Sequence, residues 1–204
     1  MIKNIVFDLG NVLVEFNPHE YLASFGFDKE TENTLFGMIY GGRWNSYDRG
    51  DYKTIGDLRT ALCKEYPEYS DELSEVLQPE WVNIHRVITD TAEYLGELKQ
   101  RGYKIYILSN LSAESYEYIK KLDFFGKTDG GVFSTFENAC KPEEKLYSVL
   151  LERYGLSADE CVFLDDRPEN IKAAEKLGIH GIVFTSFGEA KQQLENLLKQ
   201  SESV

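Results

Sequence analysis

Residues 163–179 read FLDDRPENIKAAEKLGI. A short apolar run, Cys161 to Leu164, ends in two adjacent carboxylates, Asp165 and Asp166, and a helical pattern of charged and apolar residues follows from Pro168 to Leu177. Short runs rich in β-branched or aromatic residues fit strands covered on both faces. Like charges placed side by side cost stability unless something positive compensates them. A strand that delivers two acids to the start of a helix is therefore read as part of a site.

The same grammar recurs along the chain. Apolar runs at Ile5–Phe7, Tyr103–Leu108 and Gly181–Phe184, with a weaker one at Gly131–Phe133, are read as buried strands. Helical patterns at Thr91–Gln100, Ala113–Leu122, Glu143–Tyr154, Pro168–Leu177 and Glu189–Lys199 alternate with them. This alternation predicts an α/β fold with a doubly wound, mostly parallel, Rossmann-like sheet. Residues 17–88 interrupt it with helical patterns at His19–Ser24, Thr31–Ile39, Thr54–Glu65 and Ser70–Arg86. They are expected to form a small inserted helical cap over a core made of residues 1–16 and 89–204. The polar tail, Gln200 to Val204, is expected to fray.

The composition narrows the function. With 22 basic and 35 acidic residues the 204-residue chain carries a formal charge of −13, which repels nucleic acid and anionic membranes. No apolar run approaches the ~20 residues of a membrane span. The opening MIKNIVFDLG enters a strand pattern directly and lacks the form of a signal peptide, so a cytoplasmic protein is expected. Cys63, Cys140 and Cys161 are odd in number and widely spaced, which argues against a disulfide framework or a zinc site. His19, His85 and His180 show no metal-ligand spacing and are read as surface or helix-end residues.

Three strand ends finish in reactive groups: Asp8 in FDLGNVL, Ser109-Asn110 in ILSN, and Asp165-Asp166. Lys141-Pro142 lies between the last two. Taken singly, each is an ordinary turn or cap. In this order and spacing they resemble the four motifs of the haloacid dehalogenase superfamily. The resemblance runs from Ile5 to about Phe184, with the insert standing where that superfamily carries its first type of cap. FDLGNVL is similar to a subfamily that includes bacterial sugar-phosphate phosphatases.

The resemblance implies a Mg²⁺-dependent phosphatase acting on a small phosphomonoester, with a sugar phosphate as the expected substrate. Asp8 is then the nucleophile that becomes an aspartyl-phosphate, splitting one hard step into two. Asp8, Asp166 and the carbonyl of Gly10 would hold the ion, with Asp165 acting through water or by holding Lys141. Ser109 and the amide of Asn110 would hold phosphate oxygens, and Lys141 would set its charge between nucleophile and phosphate. Together Asp8, Asp165, Asp166 and Lys141 carry a formal charge of −2, which one Mg²⁺ neutralises. Segment 41–50 is read as the loop that sets specificity: Trp44 and Tyr47 are candidates for stacking on a sugar, and Arg43 or Arg49 for meeting a second anionic group.

One departure matters. Most phosphatases of that superfamily have an acid–base Asp two residues after the nucleophile, and Gly10 stands there in this chain. A general acid–base is worth about 10²–10⁴-fold. Another group could do the proton work, with Glu15 and Asp48 as candidates. The substrate could instead have a good leaving group, such as an anomeric phosphate, or turnover could be slow or lost. The rival functions are a metal-independent haloacid dehalogenase, a binding protein of the same fold, and a phosphosugar mutase.

Overall fold

The computed structural model describes residues 1–202. In chain order the elements are β1 (Asn4–Phe7), β2 (Val14–Glu15), α1 (Pro18–Ala23), α2 (Lys29–Tyr40), α3 (Arg43–Arg49), α4 (Ile55–Glu65) and α5 (Ser70–Val76). There follow β3 (Arg86–Val87), α6 (Thr89–Gln100), β4 (Lys104–Ser109), α7 (Ala113–Ile119), β5 (Gly130–Phe133), α8 (Ser134–Glu137) and α9 (Glu144–Tyr154). The chain closes with β6 (Cys161–Asp165), α10 (Pro168–Lys176), β7 (His180–Val183) and α11 (Phe187–Glu202).

Five strands form one parallel sheet in the order β5-β4-β1-β6-β7. Side chains alternate across it, as the period of two requires. Ile5, Phe7, Ile105, Ile107, Val162 and Leu164 pack with α6, α7 and α11. Val6, Tyr106, Leu108 and Phe163 face the other way, against α9 and α10. Both faces are thus covered, and the fold is the doubly wound α/β architecture expected. Full burial of each aliphatic side chain stabilises by roughly 1.5–3 kcal/mol. Local signals set the ends of the helices: Ser112 caps α7 by accepting from Ser115 N, Pro168 opens α10, and Gly155 ends α9 in the left-handed region.

β1 is the central strand, and the chain goes to β4 on one side and later to β6 on the other. Ligands of such sheets bind outside the carboxyl ends of the strands, where the strand order reverses. The ends of β1, β4 and β6 are the three strand ends singled out above.

The helical stretch leaves and rejoins the core side by side. β2 and β3 form a small antiparallel ribbon, Val14 opposite Val87 and Glu15 opposite Arg86. Between them α1 to α5 bury an apolar cluster of their own, centred on Leu35, Ile39, Trp44, Tyr47, Leu58, Leu62 and Trp81. Three expectations need correction. Ser70–Arg86 is not one helix: α5 stops at Val76, Pro79–Ile84 is a 3₁₀ turn, and Arg86 is in a strand. Segment 43–49 is a helix. Helix α11 runs through Gln200 to Glu202, where fraying was expected; the last two residues of that tail, 203 and 204, lie outside the described residues.

Candidate active site

Asp8 follows the last residue of β1 and is buried. Its Oδ1 accepts from Leu9 N at 2.7 Å and meets Lys141 Nζ at 2.8 Å. The Ser109 hydroxyl, at the end of β4, lies within hydrogen-bonding reach of the same carboxylate. Burial pushes the Asp8 carboxyl up to about 7; Lys141 pulls it down and the neighbouring Asp165 pushes it further up. Desolvation alone would lower the Lys141 ammonium, but Asp8 and Asp165 together outweigh it and hold it above its ordinary value.

Asp165, the last residue of β6, is fully enclosed. Its Oδ2 takes Lys141 Nζ at 2.6 Å, its Oδ1 takes Arg167 N at 2.8 Å, and Asn170 Nδ2 donates to both oxygens at 2.9 and 3.0 Å. It is therefore the post that holds Lys141. Asp166 is more open: burial raises its carboxyl, and Asn11 Nδ2 donates to its Oδ2 at 3.1 Å. Asn11 adopts a positive φ of 57°, which asparagine tolerates better than most residues. Its own Oδ1 accepts from Phe16 N at 3.2 Å.

One oxygen from each of Asp8, Asp165 and Asp166 lies within 4.8 Å of the others. All-oxygen donors of net negative charge suit a hard divalent cation such as Mg²⁺, so the residues present fit the ion that the sequence motif implies. Asn110 supports the site through the main chain. Its Oδ1 accepts from Lys141 N at 2.7 Å and its Nδ2 donates to Lys141 O at 3.1 Å, clasping the residue before the cis Lys141-Pro142 bond.

Above these groups lies a cavity of about 300 Å³. Asp8, Gly10, Asn11, Asn110, Lys141 and Asp166 form its floor, and the helical stretch closes it with Tyr40, Trp44, Asn45, Asp48 and Trp81. Ser109 and Asp165 lie beneath that floor and do not line it. Of the residues singled out in segment 41–50, Trp44 and Asp48 reach the cavity and three others do not. Arg43 turns away to Glu65 and to Tyr52 at 3.3 Å. Arg49 meets Glu143 at 2.7 Å. Tyr47 is buried behind Trp44 and Trp81, whose rings it meets edge-on, and is bonded to Glu114. A second anionic group of a substrate would find neither arginine in the cavity.

Glu15 is also absent from the cavity: it is exposed on the β2–β3 ribbon with Arg86 Nε at 3.4 Å. His85, read from sequence as a surface or helix-end residue, is buried and lines the cavity. Its Nε2 lies 3.1 Å from Ser115 Oγ, and burial pulls its pKa down to about 4. A lone histidine carries no spacing signal that could have revealed this. Asn11 and Asn170 were equally unmarked, although both sit inside the quoted motifs.

Comparison with known proteins places this geometry in context. Residues 2–178 match the family described as haloacid dehalogenase-like hydrolase. The sesquiterpene phosphatase astK of Aspergillus oryzae is 25% identical over 191 residues, 90% of each chain. Acyl-CoA dehydrogenase family member 10 of Mus musculus is 28% identical over 212 residues, which is 96% of this chain but 19% of that protein. Among solved structures, a HAD family enzyme of Bacteroides thetaiotaomicron in complex with magnesium and inorganic phosphate superposes with a TM-score of 0.69. It covers 93% of this chain and 98% of that one at 21% identity, a likeness of fold.

Proposed function

The chain belongs to the haloacid dehalogenase-like hydrolases, and from that premise we propose that it is a Mg²⁺-dependent phosphatase of small phosphomonoesters. The observation that carries this reading is the cluster of three carboxylates, Asp8 among them, with one buried lysine. A metal-free dehalogenase has little use for Asp166 beside its nucleophile, because unpaired carboxylates repel one another at a cost. A cation and a phosphate dianion give that charge a purpose.

In this reading Asp8 attacks phosphorus in line with the leaving oxygen and forms a phosphoryl-aspartate. Lys141, held by Asp165, faces Asp8 and offers its charge to a phosphoryl oxygen. The Asn110 amide donates to a remaining oxygen, while Ser109, beneath the floor, steadies the Asp8 carboxylate rather than meeting the phosphate as expected from the motif. Asp8, Asp166 and the Gly10 carbonyl would hold Mg²⁺, whose contribution is charge neutralisation and orientation of the phosphoryl group. Residues 17–88 act as the lid that excludes water.

The alcohol portion of the substrate faces Phe16, Tyr40, Trp44 and Trp81, with Asn45 as a neutral polar neighbour. A sugar ring stacked on aromatic faces fits this lining. The same lining favours a second reading, an apolar alcohol phosphate, because no cationic side chain of the helical stretch lines the cavity among the described residues. The sesquiterpene phosphatase relative points the same way. The test is phosphate release from a panel of sugar monophosphates and isoprenoid or aryl monophosphates, with Mg²⁺ and with chelator. Metal-dependent release from one group names the substrate class. Haloacid turnover that survives chelation, with no phosphate release, would replace this reading by the dehalogenase one.

A further inference from the structure

Gly10 leaves the position two residues beyond the nucleophile without a side chain, so the proton that must reach the leaving oxygen has to come from elsewhere. Six carboxyl or imidazole groups come into question near Asp8. Asp8 itself is the attacking group. Asp165 is enclosed by four hydrogen-bonding or ionic contacts and does not reach the cavity. Asp166 accepts from Asn11 Nδ2 and is one of the groups that would hold the ion. Glu15 is exposed and paired with Arg86. His85 has Nε2 turned to Ser115. The remaining group is Asp48.

Asp48 stands on α3 with Trp44 and Asn45, and all three line the cavity whose floor holds Asp8 and Lys141. Residues four apart share one helix face, so the turn that presents Trp44 to the cavity also presents Asp48. The Ser112 backbone N–H and Lys141 favour its charged form and Asp8 opposes it, so the groups of the floor act on it electrostatically. The helix that carries it is anchored to the core. Ser134 Oγ donates to the Asp48 carbonyl, the Cys140 thiol to the Asn45 carbonyl at 3.7 Å, Tyr47 meets Glu114, and Arg49 meets Glu143. Gly50, at φ 91°, lets the end of α3 approach closely: a Cβ there would come 2.9 Å from Thr135 O.

Resting on the phosphatase reading, we infer that Asp48 is the general acid–base of this site, supplied by the lid in place of the side chain that Gly10 lacks. In the first half-reaction Asp8 forms a bond to phosphorus, the P–O bond to the alcohol breaks, and the Asp48 carboxyl gives its proton to the departing oxygen. In the second, the Asp48 carboxylate takes a proton from water as that oxygen bonds to phosphorus. The bond to Asp8 breaks, inorganic phosphate leaves, and Asp8 and Asp48 regain their starting forms. Burial keeps the Asp48 carboxyl protonated to higher pH than an exposed acid, up to about 8, which suits the first step.

The test uses the full chain with Mg²⁺, comparing p-nitrophenyl phosphate, whose leaving group needs no proton, with phenyl and alkyl monophosphates, whose leaving groups do. For Asp48→Asn the expected loss in kcat/KM is about 10²–10⁴-fold for the alkyl ester and far smaller for the nitrophenyl ester. The nitrophenyl ester should then show a burst, because breakdown of phosphoryl-Asp8 also needs the base. Asp48→Glu should retain much of the activity. Gly10→Asp adds a carboxyl where a Cβ meets nothing within 4 Å, and it should restore alkyl phosphate turnover to Asp48→Asn. A loss equal across all leaving groups, or no rescue by Gly10→Asp, would assign Asp48 a structural role and overturn the inference alone. A wild-type chain inactive on every ester would overturn the phosphatase reading and the inference with it. If Asp48→Asn does not fold, Asp48→Glu still decides: a loss equal for the alkyl and nitrophenyl esters would overturn the assignment.

Discussion

Replacing Lys141 by Met tests the electrostatic account of the site without reference to any substrate. Lys141 is 4% exposed, and its ammonium lies 2.8 Å from Asp8 and 2.6 Å from Asp165. Met keeps the length of the side chain and removes the charge, leaving two buried carboxylates in contact range with no cation. Breaking a buried pair in this way costs roughly 3–5 kcal/mol. For a chain of this size each kcal/mol moves Tm by about 2–4 °C, so a drop of roughly 6–20 °C is expected in chelator at pH 8. The drop should shrink at pH 5, where Asp8 can hold a proton, and should shrink again with millimolar Mg²⁺. Lys29→Met is the control. Lys29 is itself exposed and meets Glu32 at 2.6 Å on the same helix, and ion pairs of a solvated lysine contribute about 0–1 kcal/mol. Thermal unfolding followed by circular dichroism reads both. If Lys141→Met costs no more than Lys29→Met, or costs the same at pH 5 and pH 8, the charge cluster is not what the lysine compensates.

Three further outcomes are expected. Asp8→Asn keeps the shape and removes the attacking charge, so it should abolish phosphate release while circular dichroism stays that of the wild type; substantial residual turnover would remove Asp8 from the nucleophile role. Asp48 has a folded-state pKa raised by burial, so its folded form keeps the proton while the unfolded form loses it near pH ~4; its stability contribution is complete below that pH and is lost as pH rises through about 8. In chelator, Asp48→Asn should therefore gain Tm relative to wild type between pH 5 and pH 8, and a gap that does not widen would contradict the burial argument. Gly50→Ala strains a left-handed residue against Thr135, at a cost of roughly 1–3 kcal/mol, and should loosen α3, seen as faster amide exchange at Arg43–Arg49.

The parallel sheet and its covering helices were legible because strands buried on both faces must be apolar runs, and Ile5–Phe7 and Cys161–Leu164 are unmistakable. Asp8, Asp165 and Asp166 were legible because a carboxylate directly after such a run demands a reason. Helix α3 was not: seven residues between glycines give too few turns for a period to show. Its polarity was misleading for the same reason. Tyr47 and Arg43 stand beside Trp44 and Asp48 in sequence, yet Tyr47 is drawn to Glu114 behind the two tryptophans and Arg43 to Glu65. Those partners are 67 and 22 residues away, and nothing local announces them. The β2–β3 ribbon, two residues on each side, is too short to carry alternation. The inward turn of His85 depends on tertiary packing against Phe16 and Trp81.

The central place of β1 has a consequence for how the protein comes into being. Asn4 pairs with Lys104 on one side and with Cys161 on the other. A ribosome therefore makes the nucleophile's strand first and its last neighbour more than 150 residues later, an interval of roughly 8–30 s at 5–20 residues per second. The helical stretch is finished long before then and can collapse around Trp44 and Trp81 on its own schedule. An apolar strand ending in Asp8 meanwhile has β4 on one side and nothing on the other, so during synthesis the nucleophile is the oldest part of the site and waits longest for its second wall.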